Sequence, residues 1–179
     1  MTLAAIALAL LACGSERWEV KVLADAQAAE VDLAHPREAT VARLASLPAP
    51  AYAERRARAP EETQVFVLSA FVLGYKLEED GDIHIVVSDR PDGSGATMVA
   101  EIPSSDCLQA SRARGEMDEA RRAFLSVFQN RPPGPRFRPL RRPQAVQITG
   151  VGFFDKLHGQ TGAAPNGIEL HPVLSVAKR

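Results

Sequence analysis

The strongest constraint on the fold is the order of five β-patterned segments with one helical segment between the third and the fourth. Residues 64–77 carry Val65, Phe66, Val67, Leu68, Phe71, Val72, Leu73 and Tyr75. Apolar residues fall on both faces, as in a strand coiled around a closed sheet. Glu78-Glu79-Asp80-Gly81-Asp82 follows, with an Asp-Gly pair suited to a tight hairpin. Residues 83–89 alternate, with Ile83, Ile85 and Val87 on one face and His84, Val86 and Ser88 on the other. A Pro/Asp/Gly loop over 90–96 leads to a third strand at 97–102, closed by Pro103. Ser104-Ser105-Asp106 offers cap residues for a helical stretch that breaks near Gly115. Its second piece places Met117, Ala120, Phe124, Val127 and Phe128 on one face. Residues 130–143 read as a Pro/Arg loop, because five prolines forbid helix there. Residues 144–154 form a fourth strand in which Gly150 and Gly152 predict a bulge. A loop over 155–167 precedes a fifth strand at 168–176, with Ile168, Leu170, Leu174 and Val176 opposite Glu169, His171 and Val173. The expected fold is therefore mainly β, a five-stranded OB-fold-like barrel in the order β-β-β-α-β-β, over residues 63–179.

The N-terminal third reads differently. Leu3 to Ala12 is an uncharged apolar run, too short to span a bilayer and of the length of a signal-peptide core. It ends in Leu10-Leu11-Ala12-Cys13-Gly14-Ser15, which resembles a bacterial lipobox and makes Cys13 the expected lipidation site. No Lys or Arg precedes the run. Residues 1–13 are thus read as a signal segment, and the protein as exported: a membrane-anchored lipoprotein of the cell envelope, otherwise periplasmic or secreted. If Cys13 stays unmodified, a disulfide with Cys107, the second cysteine of the chain, is the alternative. In the lipidated form Cys107 reads as a small buried hydrophobe. Residues 14–62 read as a tether and an irregular arm that lies on the domain. Within it, 18–22 is a short strand by weak alternation, 40–47 is a helical turn carrying Val41, Leu44 and Leu47, and 52–62 is a solvated segment.

Two stretches resemble a group of uncharacterised exported bacterial proteins with an OB-like domain. One is Tyr75-Lys76-Leu77-Glu78-Glu79-Asp80-Gly81-Asp82-Ile83-His84, continuing through Thr97-Met98-Val99-Ala100-Glu101-Ile102-Pro103 to Cys107. The other is Gly150-Val151-Gly152-Phe153-Phe154-Asp155, with His158-Gly159-Gln160-Thr161-Gly162 and Pro165-Asn166-Gly167-Ile168-Glu169-Leu170-His171-Pro172. The resemblance implies export and a single domain, and it carries no activity.

Candidate chemistry centres on the loop between the fourth and fifth strands. Asp155, His158, Gln160, Asn166, Glu169 and His171 are the candidate ligand-binding residues. Glu169 and His171 share one strand face. His84, His158, Glu169 and His171 form a weaker candidate metal set, since imidazole and carboxylate suit zinc or a similar divalent ion. No cofactor is otherwise implied. No Ser-His-Asp or Cys-His spacing and no phosphate loop is evident. The expected function is then a non-enzymatic binding module holding a protein, glycan or small molecule between hairpin 78–82 and loop 155–167. The alternative is a metal-dependent hydrolase using His84, Asp155, His158, Glu169 and His171. A third reading uses the segment 112–142, whose nine arginines against three acids suit anionic lipid or phosphate. Nucleic acid is disfavoured, because the four acids at 78–82 would repel a phosphate backbone. That acidic turn is either simply hydrated or a weak calcium site.

Overall fold

The computed structural model describes residues 13, 16–51 and 57–179. The apolar run of the expected signal segment lies outside them, as do residues 52–56. The described chain is mainly β. Its strands are β1 (Arg37–Ala39), β2 (Val65–Leu77), β3 (Ile83–Ser88), β4 (Thr97–Ile102), β5 (Arg138–Phe154) and β6 (Ile168–Lys178). Among the described residues three α-helices accompany them: α1 (Trp18–Lys21), α2 (Val41–Ala45) and α3 (Arg114–Val127). Among the described residues no helix is long and apolar enough to cross a membrane.

The strands form one mixed sheet in the order β1-β2-β3-β4-β6-β5, and β2 also pairs with β5. The hydrogen bonding of the five long strands thus closes into a ring. Every junction is antiparallel except β4–β6, which is parallel. β1 adds to β2 in parallel, outside the ring. Alternation fixes what faces inward. Ile83, Ile85 and Val87 of β3, Met98, Ala100 and Ile102 of β4, and Ile168 and Leu170 of β6 enter one apolar cluster. Ala120, Phe124 and Phe128 bring the apolar face of α3 onto it, with Phe124 edge-on to Tyr75 at 5.3 Å between ring centres.

Several expectations change. The α-helix begins at Arg114, and only a short 3-10 turn, Ser105–Cys107, occupies the stretch before it. β5 begins at Arg138 rather than 144, so Pro139 and Pro143 lie in a strand. Proline excludes helix, but a strand tolerates it where no ladder donor is required. Here the register slips between Val72 and Gly74, and residues 140–143 are taken up in that irregularity. In β6 the inward face passes from Leu170 to Val173, while Leu174 turns to a second cluster with Val151 and Met117. The cause is the predicted bulge: the β5–β6 register shifts on both sides of Gly150. A Cβ there would meet the Pro172 carbonyl oxygen at 2.8 Å, so only glycine allows the approach.

The arm is more built than its composition suggests. Residues 18–21 are helical, not extended, closed by bonds from the Val22 N–H to the Trp18 carbonyl and from the Ala24 N–H to the Glu19 carbonyl. A five-residue alternation is too short to decide this. The helical turn at 40–47 is present, with the Thr40 hydroxyl accepting from the Arg43 N–H. The segment before β2 is not wholly solvated, because Arg58 and Glu62 are buried. Arg58 donates to Asp25 and to the Val20 and Glu62 carbonyls. Glu62 accepts from Arg17 and from the Ala59 and Phe154 N–H groups. Those partners make burial of the two charges tolerable. They also fix α1 against the ring, which places Lys21.

Candidate functional site

Polar residues on the outward face of β3, β4 and β6 meet in one buried cluster. The β3–β4 register sets His84 opposite Glu101. The parallel β4–β6 pairing sets Val99 opposite Glu169, so Glu101 and His171 each follow two residues later along adjacent strands. Glu101 bridges the two imidazoles: Oε1 lies 3.0 Å from His84 Nδ1 and Oε2 lies 3.1 Å from His171 Nδ1. Glu169 Oε1 is also 3.1 Å from His171 Nδ1. Asp82 Oδ2 approaches His171 Nε2 at 3.6 Å, and Glu78 Oε1 approaches His84 Nδ1 at 3.4 Å. Lys21, from α1, lies 3.5 Å from Asp155 and over the Phe153 ring. Loop 155–167 packs on the same outward face of β3: the Thr161 carbonyl lies 2.9 Å from His84 Nε2. The loop closes through Gly167, whose φ of +76° and contact with the Asp155 carbonyl leave no room for a side chain.

The contacts decide the protonation of His84. Nε2 faces a carbonyl and must donate, while Nδ1 faces carboxylates, so both nitrogens carry protons when Glu101 is ionised. Burial alone would lower the His84 pKa, but the Glu101 hydrogen bond and charge raise it. Burial likewise opposes ionised Glu101, yet the bonds from His171 and His84 hold it well below the usual carboxylate range. Burial pushes Glu169 up to about 7, with help from the Glu101 charge, and pushes Asp82 up to about 6. His171 is lowered by burial but lifted further by Glu101 and Glu169, to about 9. Burial disfavours the Lys21 ammonium, but the surrounding carboxylates outweigh it and raise its pKa.

Asp82, Glu169 and His171 therefore hold protons in the folded chain that the unfolded chain has released at the same pH. Folding takes up protons, and stability falls as pH rises. The His171 contribution is complete below pH 6.5 and is lost as pH passes about 9. That gap corresponds to on the order of 3 kcal/mol. Melting in chelator-containing buffer should occur roughly 5–10 °C lower at pH 9.5 than at pH 6.5. A flat profile would show that His171 is not held as an imidazolium. Glu101 has the opposite sign, and its contribution disappears in acid, below pH 4.5.

Two concave spaces adjoin the cluster. A cavity of about 180 Å³ is lined by Lys21, Asp80, Asp82, Asp155, His158 and His171, with Cys13 and Cys107 at its wall. A cleft of about 880 Å³ lies between hairpin residues 78–80 and loop residues 155–160, with His84 and Glu101 also lining it.

Of the sequence candidates, His84, Glu169 and His171 come together through Glu101. Asp155 stands at the edge beside Lys21. His158 is exposed and 3.7 Å from Asp155, outside the groups whose donor atoms lie within 4.8 Å of one another among the described residues. Those groups are Glu78/His84/Glu101 and Asp82/Glu101/His171, so of the expected metal set His84 and His171 fall within them and His158 and Glu169 do not. Gln160 orders the loop, accepting from the His158 N–H and donating to the Lys156 carbonyl. Asn166 is elsewhere: it donates to the Leu44 and Leu47 carbonyls and clamps the loop to α2. The arginines are divided. Arg121 donates to the Gly81 and Pro103 carbonyls, Arg112 to the Ala28 carbonyl, and Arg122 pairs with Glu119. Glu101 and Lys21 were missed by sequence reasoning. The signal for Glu101 was present: pairing Ile83 with Ile102 across the 90–96 loop puts it opposite His84.

Cys13 and Cys107 form a disulfide with Cα atoms 5.5 Å apart. This is the alternative to lipidation, because one sulfur cannot carry both. Comparisons with family models, curated proteins and solved structures return no match to this chain.

Proposed function

We propose that the closed ring is an OB-type barrel and that the chain is a cell-envelope binding module for a small polar ligand. The ring order β2-β3-β4-β6-β5, with a helix between the third and fourth ring strands in sequence, supports the fold reading. The observation that carries the function is the 880 Å³ cleft between hairpin 78–80 and loop 155–160, a volume usual for small-molecule sites. Its lining mixes donors and acceptors: Lys21, Lys76, Glu79, Asp80, His158 and Gln160. The ligand is correspondingly polar and of both hydrogen-bonding characters, such as a short glycan or an amino acid. Export is supported by the signal-like run before Cys13 and by the disulfide, a bond favoured in oxidising compartments. A lipidated Cys13 would instead tether the module to the membrane.

The test is a nuclear magnetic resonance titration of the labelled chain with mono- and disaccharides, amino acids and polyamines. Shifts should concentrate at the amides of Lys76, Glu79, Asp80, Gly159 and Gln160. Glu79→Ala, at an exposed residue of the cleft lining, should weaken the responding ligand roughly tenfold without changing the melting temperature. Shifts mapping elsewhere, or none at millimolar concentrations, would sink the reading.

A further inference from the structure

His171 is the side chain that the cluster leaves unsatisfied. Its ring is 1% exposed. Nδ1 is held by Glu101 Oε2 and Glu169 Oε1, both at 3.1 Å. This turns Nε2 to the opposite side, toward Asp82, whose Oδ2 at 3.6 Å is beyond hydrogen-bond distance. Nε2 is buried and has no hydrogen-bond partner among the described residues. Asp82 and His171 both line the 180 Å³ cavity.

Three observations suit a divalent cation there. The donor atoms of Asp82, Glu101 and His171 all lie within 4.8 Å of one another. Tetrahedral coordination with bonds of about 2.0–2.2 Å separates its ligands by roughly 3.4 Å, and the gap from Nε2 to Oδ2 is 3.6 Å. Carboxylates on Nδ1 are the outer contacts that fix and activate a metal-binding imidazole. Asp82, Glu101, Glu169 and Asp155 gather there around Lys21, His84 and His171, with Arg121 acting on Asp82 and His158 3.7 Å from Asp155.

We propose that Asp82 and His171, backed by Glu101 on the far side of the imidazole, form a binding site for a divalent cation of the zinc class. His171 Nε2 and the Asp82 carboxylate are the protein ligands, Glu101 and Glu169 hold the imidazole from its Nδ1 side, and the remaining positions open to the cavity. An imidazole among oxygen donors selects zinc-like ions over calcium or magnesium. The inference does not depend on the ligand cleft, and either can fail alone.

The experiment uses the full chain, oxidised and stripped with chelator. Zinc is titrated calorimetrically against a competing chelator, and cobalt is followed by visible absorption. One ion per chain should bind with micromolar or tighter affinity. Asp82→Asn and His171→Gln should each weaken binding at least about tenfold, while His35→Ala, at an exposed His–Asp pair, should not. In case those variants unfold, imidazole 15N shifts of the wild-type chain are read directly, and zinc should move His171 Nε2 most. No saturable binding at millimolar metal, binding unchanged in both ligand variants, binding lost in His35→Ala, or shifts confined to His35 or His158 would each overturn the proposal.

Discussion

Glu101→Gln is expected to lower the melting temperature by roughly 10–15 °C at pH 7. Among the described residues, Glu101 is the carboxylate within reach of both imidazoles, at 3.0 and 3.1 Å. Glutamine keeps the shape but loses the charge, and its amide nitrogen presents protons to one of two donors. His84 and Lys21 would keep their positive charges in a buried setting with less compensation. Removing one partner of a buried ionic group typically costs about 3–5 kcal/mol. In a chain of this length that corresponds to about 2–4 °C per kcal/mol. The loss should also be non-additive with His84→Gln, because the second substitution removes a donor that the first has already orphaned. A drop of only a degree or two would mean that solvent, rather than Glu101, satisfies the two rings.

Reduction should have an effect of similar size. Cys13 and Cys107 are 94 residues apart in sequence, and closing so long a loop restricts the unfolded chain by about 4–5 kcal/mol in the chain-entropy description. Cys107→Ser, or wild-type protein in reductant, should therefore melt roughly 10–15 °C lower than the oxidised form. The bond also lines the cavity that holds Asp82 and His171. Hydrogen exchange should accordingly rise around residues 16–24 and the 104–108 turn on reduction. Oxidised protein with two free thiols, or equal melting with and without reductant, would refute the bond as a stabiliser.

Much of the fold was legible because its signals are local. Alternation in 83–88 and 97–102, the Asp-Gly turn and the apolar stripe of α3 each specify an element within a few residues. Gly150 announced the bulge because only glycine admits the Pro172 carbonyl so closely. Where signals were short or ambiguous, tertiary contacts decided. Residues 18–21 became a helix, Arg58 and Glu62 became buried through mutual partners, and Pro139 entered a strand at a register slip.

The candidate site divides in the same way. The sequence by itself determined that Glu169 and His171 share a strand face and that His84 opposes the core, because side-chain direction follows from a period of two. Only the tertiary structure decided that these faces meet. The parallel β4–β6 pairing joins strands separated by the whole of α3 and β5, and no local pattern encodes that registration. It brings Glu101 between two histidines, lays Lys21 of the arm beside Asp155, and leaves His158 exposed at the rim and Asn166 on α2. The physical reason is that periodicity orients a side chain within its own element, whereas its neighbours across the sheet depend on how the whole ring closes.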